Sequence, residues 1–132
     1  MSEFVLDASA VIAVLRNEPG ADTVWPLLQG SLISAVNLAE VLCASQRRGI
    51  PPERDAETIR KMQVKIVPFD GGQAQMLADI LLLTIGSSVG FADRACLALA
   101  KSQNMIALTG DHDWLKHDVG VEVRLFRKRS LT

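Results

Sequence analysis

Five short apolar runs alternate with stretches of helical character, and that alternation points to a parallel α/β sheet. The runs are Phe4-Val5-Leu6, Leu32-Ile33, Lys65-Ile66-Val67, Met105-Ile106-Ala107-Leu108 and a last one over 121–126. Between them the sequence predicts helices over 8–15, 22–29, 35–48, 53–62, 70–83 and 92–102, and a helical turn over 113–116. Ser34 and Asp70 stand where N-caps belong, and Gly49 closes the third helix. Pro26 limits the regularity of the second. In the 70–83 segment Met76, Leu77, Ile80, Leu81 and Leu83 exceed one helical stripe, which predicts burial on two sides, against the sheet and against a second subunit. No repeat, low-complexity stretch or linker interrupts the chain, so its 132 residues read as a single domain, 1–132, with one core.

Four acids stand out against this apolar frame: Asp7, Glu40, Asp93 and Asp111. Asp7 ends the first strand, and Asp111 follows the fourth through Thr109-Gly110. Ligands of open parallel sheets bind at that carboxyl edge. Glu40 lies among Leu38, Ala39, Val41 and Leu42, where an unpaired carboxylate is costly. Asn37 precedes it by one helical turn, and Asp93 opens its helix, where the dipole favours the ionised form. Taken singly, Asp7 and Asp93 could be helix caps, and Asp111 and Asp113 turn residues. Together the four predict a negative pocket with no sequence-near lysine. Its oxygen donors select a hard divalent cation, Mg²⁺ or Mn²⁺, and chemistry on a phosphate. Whether Asp111 alone or also Asp113 reaches the metal stays open.

Other chemistries fit less well. Cys43 and Cys96 sit in apolar helical contexts that predict burial and argue against a disulfide or a thiolate metal site. His112 and His117, five apart, match neither a helical pair nor a zinc finger. There is no phosphate-binding GxxxxGK[ST] loop and no GxSxG elbow. An aspartyl phosphatase usually carries a second acid two residues after the first, where this chain has Ser9.

The net charge of −1 conceals two basic stretches. Arg47, Arg48, Arg54, Arg60, Lys61 and Lys65 fall within 46–65, and Arg124, Arg127, Lys128 and Arg129 lie near the C-terminus. They read equally as phosphate-holding patches or as solvated surface. Aromatic content of 5% with no Tyr argues against binding single strands by extended base stacking. No segment carries the roughly 20 apolar residues of a membrane span, and no basic-then-apolar leader is visible, so a cytoplasmic protein with no membrane association is expected.

Four segments, in order, carry a family likeness: Val5-Leu6-Asp7-Ala8-Ser9-Ala10, Ser34-Ala35-Val36-Asn37-Leu38-Ala39-Glu40-Val41, Ala92-Asp93-Arg94-Ala95-Cys96-Leu97-Ala98-Leu99-Ala100 and Leu108-Thr109-Gly110-Asp111. The chain resembles the PIN-domain ribonucleases, most closely the VapC-type toxins of bacterial toxin–antitoxin pairs. The resemblance implies a PIN-like parallel sheet sandwiched by helices. It implies a metal site of Asp7, Glu40, Asp93 and Asp111 supported by Ser9, Asn37 and Thr109. It further implies Mg²⁺- or Mn²⁺-dependent cleavage of RNA, typically structured RNA such as tRNA, a homodimer, and a small antitoxin that silences the site. The alternative is a PIN-like module without catalysis that binds RNA or docks a protein.

Overall fold

A computed structural model describes residues 3–128. Strands β1 (Phe4–Leu6), β2 (Leu32–Ser34), β3 (Lys65–Val67), β4 (Ile106–Thr109) and β5 (Val123–Leu125) form one sheet in the order β3-β2-β1-β4-β5. Every neighbouring pair is parallel, in the registers Val5 to Leu32, Ile33 to Ile66, Val5 to Ala107 and Leu108 to Arg124. The helices are α1 (Ala8–Arg16), α2 (Ala21–Val24), α3 (Ala35–Arg47), α4 (Pro52–Lys61), α5 (Gly71–Leu83) and α6 (Phe91–Gln103).

The period of two along each strand divides the core. Phe4, Leu6, Ile33, Ile106 and Leu108 face Val11, Val41 and Ile59 of α1, α3 and α4. Val5 and Ala107 face the other way, toward Ile80 of α5 and Cys96 and Leu99 of α6. Helices thus cover both faces, which is why the central strands β1 and β4 are buried along their whole length, whereas the edge strands β3 and β5 each carry an exposed cation, Lys65 and Arg124. Because the order runs outward in both directions from β1 and β4, the chain reverses between those two strands, and a crevice opens at their carboxyl ends.

Local signals set the boundaries. Ser34 Oγ accepts the Val36 N–H (3.2 Å), and Asp70 Oδ1 accepts that of Gln73 (2.9 Å), so both predicted caps are present. Asn17 and Asn104 end α1 and α6 in the left-handed conformation.

Four details differ from the sequence reading. The segment 22–29 is a four-residue helix, Ala21–Val24, followed by a 3-10 turn over Trp25–Leu27, because Pro26 cannot supply an N–H. The last strand keeps only Val123–Leu125 of 121–126, the part that pairs with β4. Cys43 is exposed, since it lies on the face of α3 opposite the inward residues Val41 and Ser45, whereas Cys96 is buried as expected. Within this chain α5 buries only Gln73 and Ile80, and Leu82 and Leu83 stand 72% and 52% exposed.

Candidate active site

Asp7 is the centre of the crevice. It occupies the N-cap of α1, but its side chain makes no capping hydrogen bond there. Instead Oδ2 accepts the hydroxyl protons of Ser9 (2.7 Å) and Thr109 (2.8 Å). Each hydroxyl also accepts from the turn after β4, Ser9 from the Gly110 N–H (3.0 Å) and Thr109 from the Asp111 N–H (3.1 Å). The Asp7 N–H donates to the Leu108 carbonyl (2.9 Å). Ser9 and Thr109 therefore fasten the ends of β1 and β4 together around one buried carboxylate.

Asn37 ties Glu40 to the residue that precedes Asp93. This fully buried amide donates through Nδ2 to Glu40 Oε1 (3.1 Å) and to the Ala92 carbonyl (2.9 Å), so it holds α3 against the start of α6. Its Oδ1 is buried without a partner among the described residues. Asp93 does cap its helix, since Oδ2 accepts the Gly90 N–H (2.9 Å). Asp111 caps the 3-10 turn His112–Lys116, with Oδ1 accepting the Asp113 N–H (2.9 Å). In Glu40, Asp93 and Asp111 one oxygen is thus anchored by the protein while the other makes no hydrogen bond among the described residues. The capping role and an open donor oxygen coexist.

The four acids share an electrostatic field. Burial raises the Asp7 carboxyl above its ordinary value, and Glu40 adds to the rise against the two hydroxyl donors. Burial likewise raises Glu40, with Asp93 contributing. Asp93 is pushed up to about 6 by burial first, and then by the charges of Asp7 and Asp111. None of the four makes an ion pair among the described residues. Asp113 is set differently: Ser88 Oγ donates to its Oδ2 (2.8 Å), and Lys116 pairs with its Oδ1 (2.9 Å). Behind the acids the Cys96 thiol is wholly buried, and its pKa is pushed well up by desolvation and by Asp7, Asp93 and Glu40, which removes it as a thiolate ligand.

The donor chemistry fits a hard divalent ion, being all oxygen, acidic and without a cation paired to it. Among the described residues no three His, Cys, Asp or Glu side chains already form a closed group of metal ligands.

A doubly wound sheet with carboxylates at its switch point defines the class of the fold. The PIN domain family matches residues 4–120, and the chain belongs to that family. No curated protein matches it. Its fold is similar to that in DNA-bound VapBC from Salmonella typhimurium (TM-score 0.75, 20% identity, 96% of this chain and 99% of that one). It is also similar to that in FitAcB from Neisseria gonorrhoeae (0.68, 23%, 91% and 95%). A third similar structure is Mycobacterium tuberculosis VapC20, described as a sarcin–ricin loop cleaving toxin (0.63, 15%, 79% and 86%). At these identities the likeness is one of fold.

Proposed function

We propose that the chain is a Mg²⁺- or Mn²⁺-dependent endoribonuclease, acting on structured RNA such as tRNA as the toxin of a type II toxin–antitoxin pair. The carrying observation is the convergence of Asp7, Glu40, Asp93 and Asp111 on one edge of a PIN-family sheet, each strong enough in charge to raise a neighbour's pKa. In this reading Asp7, Glu40, Asp93 and Asp111 hold the metal, and Asp113, engaged with Ser88 and Lys116, does not. When bound, the ion would activate the attacking water and offset charge on the leaving oxygen. Ser9 and Thr109 orient Asp7, and Asn37 orients Glu40 by holding Oε1, so the donors keep their positions despite their mutual repulsion.

The experiment that tests the metal site is thermal unfolding with and without Mn²⁺. At a hundredfold excess over Kd, binding stabilises by about 2.7 kcal/mol, a rise in Tm of roughly 8 °C for a chain of this length. The rise has a definite pH dependence. Asp93 titrates near 6 in the fold, against 3.8 ordinarily. Between those values the folded state holds the extra proton, so this group's contribution to stability falls as pH increases through that window. Mn²⁺ must displace the proton, so its stabilisation is expected to be large at pH 7.5 and much smaller at pH 5.5. An equal rise at both values would contradict the assignment of Asp93.

Two partners belong to the same proposal. The similarity to folds solved as VapBC and FitAcB supports a cognate antitoxin that covers the acidic crevice. The exposed end of α5 supports a homodimer, because Leu82 and Ile85 stand 72% and 67% exposed beside Leu83. Sedimentation of the purified chain should give twice the monomer mass, and Leu82→Glu combined with Ile85→Glu should give the monomer. A wild-type monomer, or a double variant that still dimerises, would remove this face from the proposal. No helix among the described residues is long and apolar enough to cross a membrane. A cytoplasmic location remains part of the proposal, as does the RNA substrate itself.

A further inference from the structure

The basic residues do not share one edge of the sheet. Lys65 opens β3 opposite Leu32, at the edge where the strands begin. Arg47 ends α3, about 20 Å along the helix from the Ser34 cap. Arg124 lies over the Phe4 ring, 5.1 Å from its centroid, again toward the start of β1. Arg127 is placed otherwise. β5 pairs Leu125 with Thr109, so the next residues leave the sheet at the edge that carries the acids. The Phe126 N–H donates to the Thr109 carbonyl (3.2 Å), and Arg127 comes down on the Gly110 turn.

Two glycines make room for it. A β-carbon on Gly110 would lie 2.6 Å from Arg127 Nε and 2.8 Å from its Cζ and Nη2. A β-carbon on Gly20 would lie 2.7 Å from Phe126 Cδ2 and 2.9 Å from both Arg127 Cβ and the Phe126 carbonyl oxygen, and Gly20 has φ of +93°. The guanidinium thus rests on the peptide between Thr109 and Asp111, one hydrogen bond from Ser9 and two from Asp7. Its donors are barely used. Nη1 is 3.8 Å from Glu18 Oε1, the group lies 5.0 Å over the Phe126 ring, and among the described residues it donates no hydrogen bond. Arg127 and Lys128 line an open cleft of about 680 Å³ together with Thr23 and His112.

A nucleic-acid strand with one phosphate at four carboxylates meets repulsion at its neighbouring phosphates unless a cation receives them. A guanidinium with free N–H groups matches a phosphate in shape as well as charge. We propose that Arg127, seated on Gly110 and assisted by Lys128, forms a subsite for a phosphate flanking the scissile one in an RNA strand. The subsite rests on the ribonuclease reading above, and it makes the cleft lined by Pro19, Thr23 and Arg127 the path of the strand as it leaves the acids.

The test compares Arg127→Gln with Arg124→Gln, which removes the same charge from the opposite edge. With bulk tRNA as substrate, Arg127→Gln is expected to raise KM about tenfold with a smaller change in kcat, while the Mn²⁺-induced rise in Tm stays at the wild-type value. Arg127→Lys should recover part of the loss, and Arg124→Gln should behave as wild type. In an Asp7→Asn background, adding Arg127→Gln should reduce the slope of log K against log salt for tRNA binding by about 0.7–0.9, the value of one phosphate contact. Equal KM values for the two Gln variants, or an unchanged salt slope, overturn the subsite. Failure of wild type to cut RNA is a separate result that overturns the ribonuclease reading, and the salt slope then decides the subsite alone.

Discussion

Asp7→Asn is expected to abolish RNA cleavage without weakening the fold. The substitution keeps the side-chain volume and leaves an oxygen for the Ser9 and Thr109 hydroxyls. It removes the central anion of the proposed metal site. Metal ions contribute several kcal/mol of charge stabilisation in such reactions, so the loss should be about a thousandfold or more. Stability should move the opposite way from activity. Burial raises the Asp7 carboxyl, which means that its charge at neutral pH works against the metal-free fold, and Glu40 adds to the strain. The variant's metal-free Tm should therefore equal or exceed that of wild type, and its Mn²⁺ response should vanish. Activity lost together with a large drop in Tm would instead make Asp7 a structural residue.

The second large effect lies far from the crevice. Arg16 of α1 and Asp55 of α4 form a bidentate pair in the interior, with side chains 14% and 5% exposed, and Ser45 of α3 donates to Asp55 Oδ2 (2.6 Å). Burial alone would raise the Asp55 carboxyl, but the hydrogen bonds from Arg16 and Ser45 and the Arg16 charge hold it below its ordinary value. Its stabilisation is therefore complete at neutral pH and disappears only as pH falls through that lowered value. Asp55→Ala strands the Arg16 guanidinium in the interior and should cost about 3–5 kcal/mol in chemical denaturation. Replacing both partners, Arg16→Met with Asp55→Leu, should recover most of the loss, because the penalty comes from the orphaned charge rather than from the pair. A mild Asp55→Ala phenotype would mean that water reaches Arg16.

These two sites also mark how far the sequence was readable. Asp7, Glu40, Asp93 and Asp111 stand out because each interrupts or borders an apolar segment. Alternation of strand and helix predicts the parallel sheet, but the order β3-β2-β1-β4-β5 that sets β1 beside β4 is long-range pairing that no local pattern carries. Glu40 is half-buried rather than enclosed, since Ala39 beside it faces solvent. Nothing local marks Asp55, because α4 is polar almost all round and its partner is 39 residues away. Arg127 was indistinguishable from a solvated tail until the register of β5 set it on Gly110. Arg129, read as part of the same basic stretch, lies outside the described residues. Cys43 and the α5 leucines show the limit of local hydrophobicity: apolar flanks say that a helix is buried somewhere, while its phase decides which side chains are.

The most direct measurement is cleavage of bulk tRNA by the purified wild-type chain in Mg²⁺ or Mn²⁺ against EDTA. Discrete fragments that need the metal are the expected result. Fragments that persist in EDTA, or intact RNA in the presence of a chain that demonstrably binds Mn²⁺ and is free of any inhibitor, would contradict the account and favour a PIN-like module that binds without cutting.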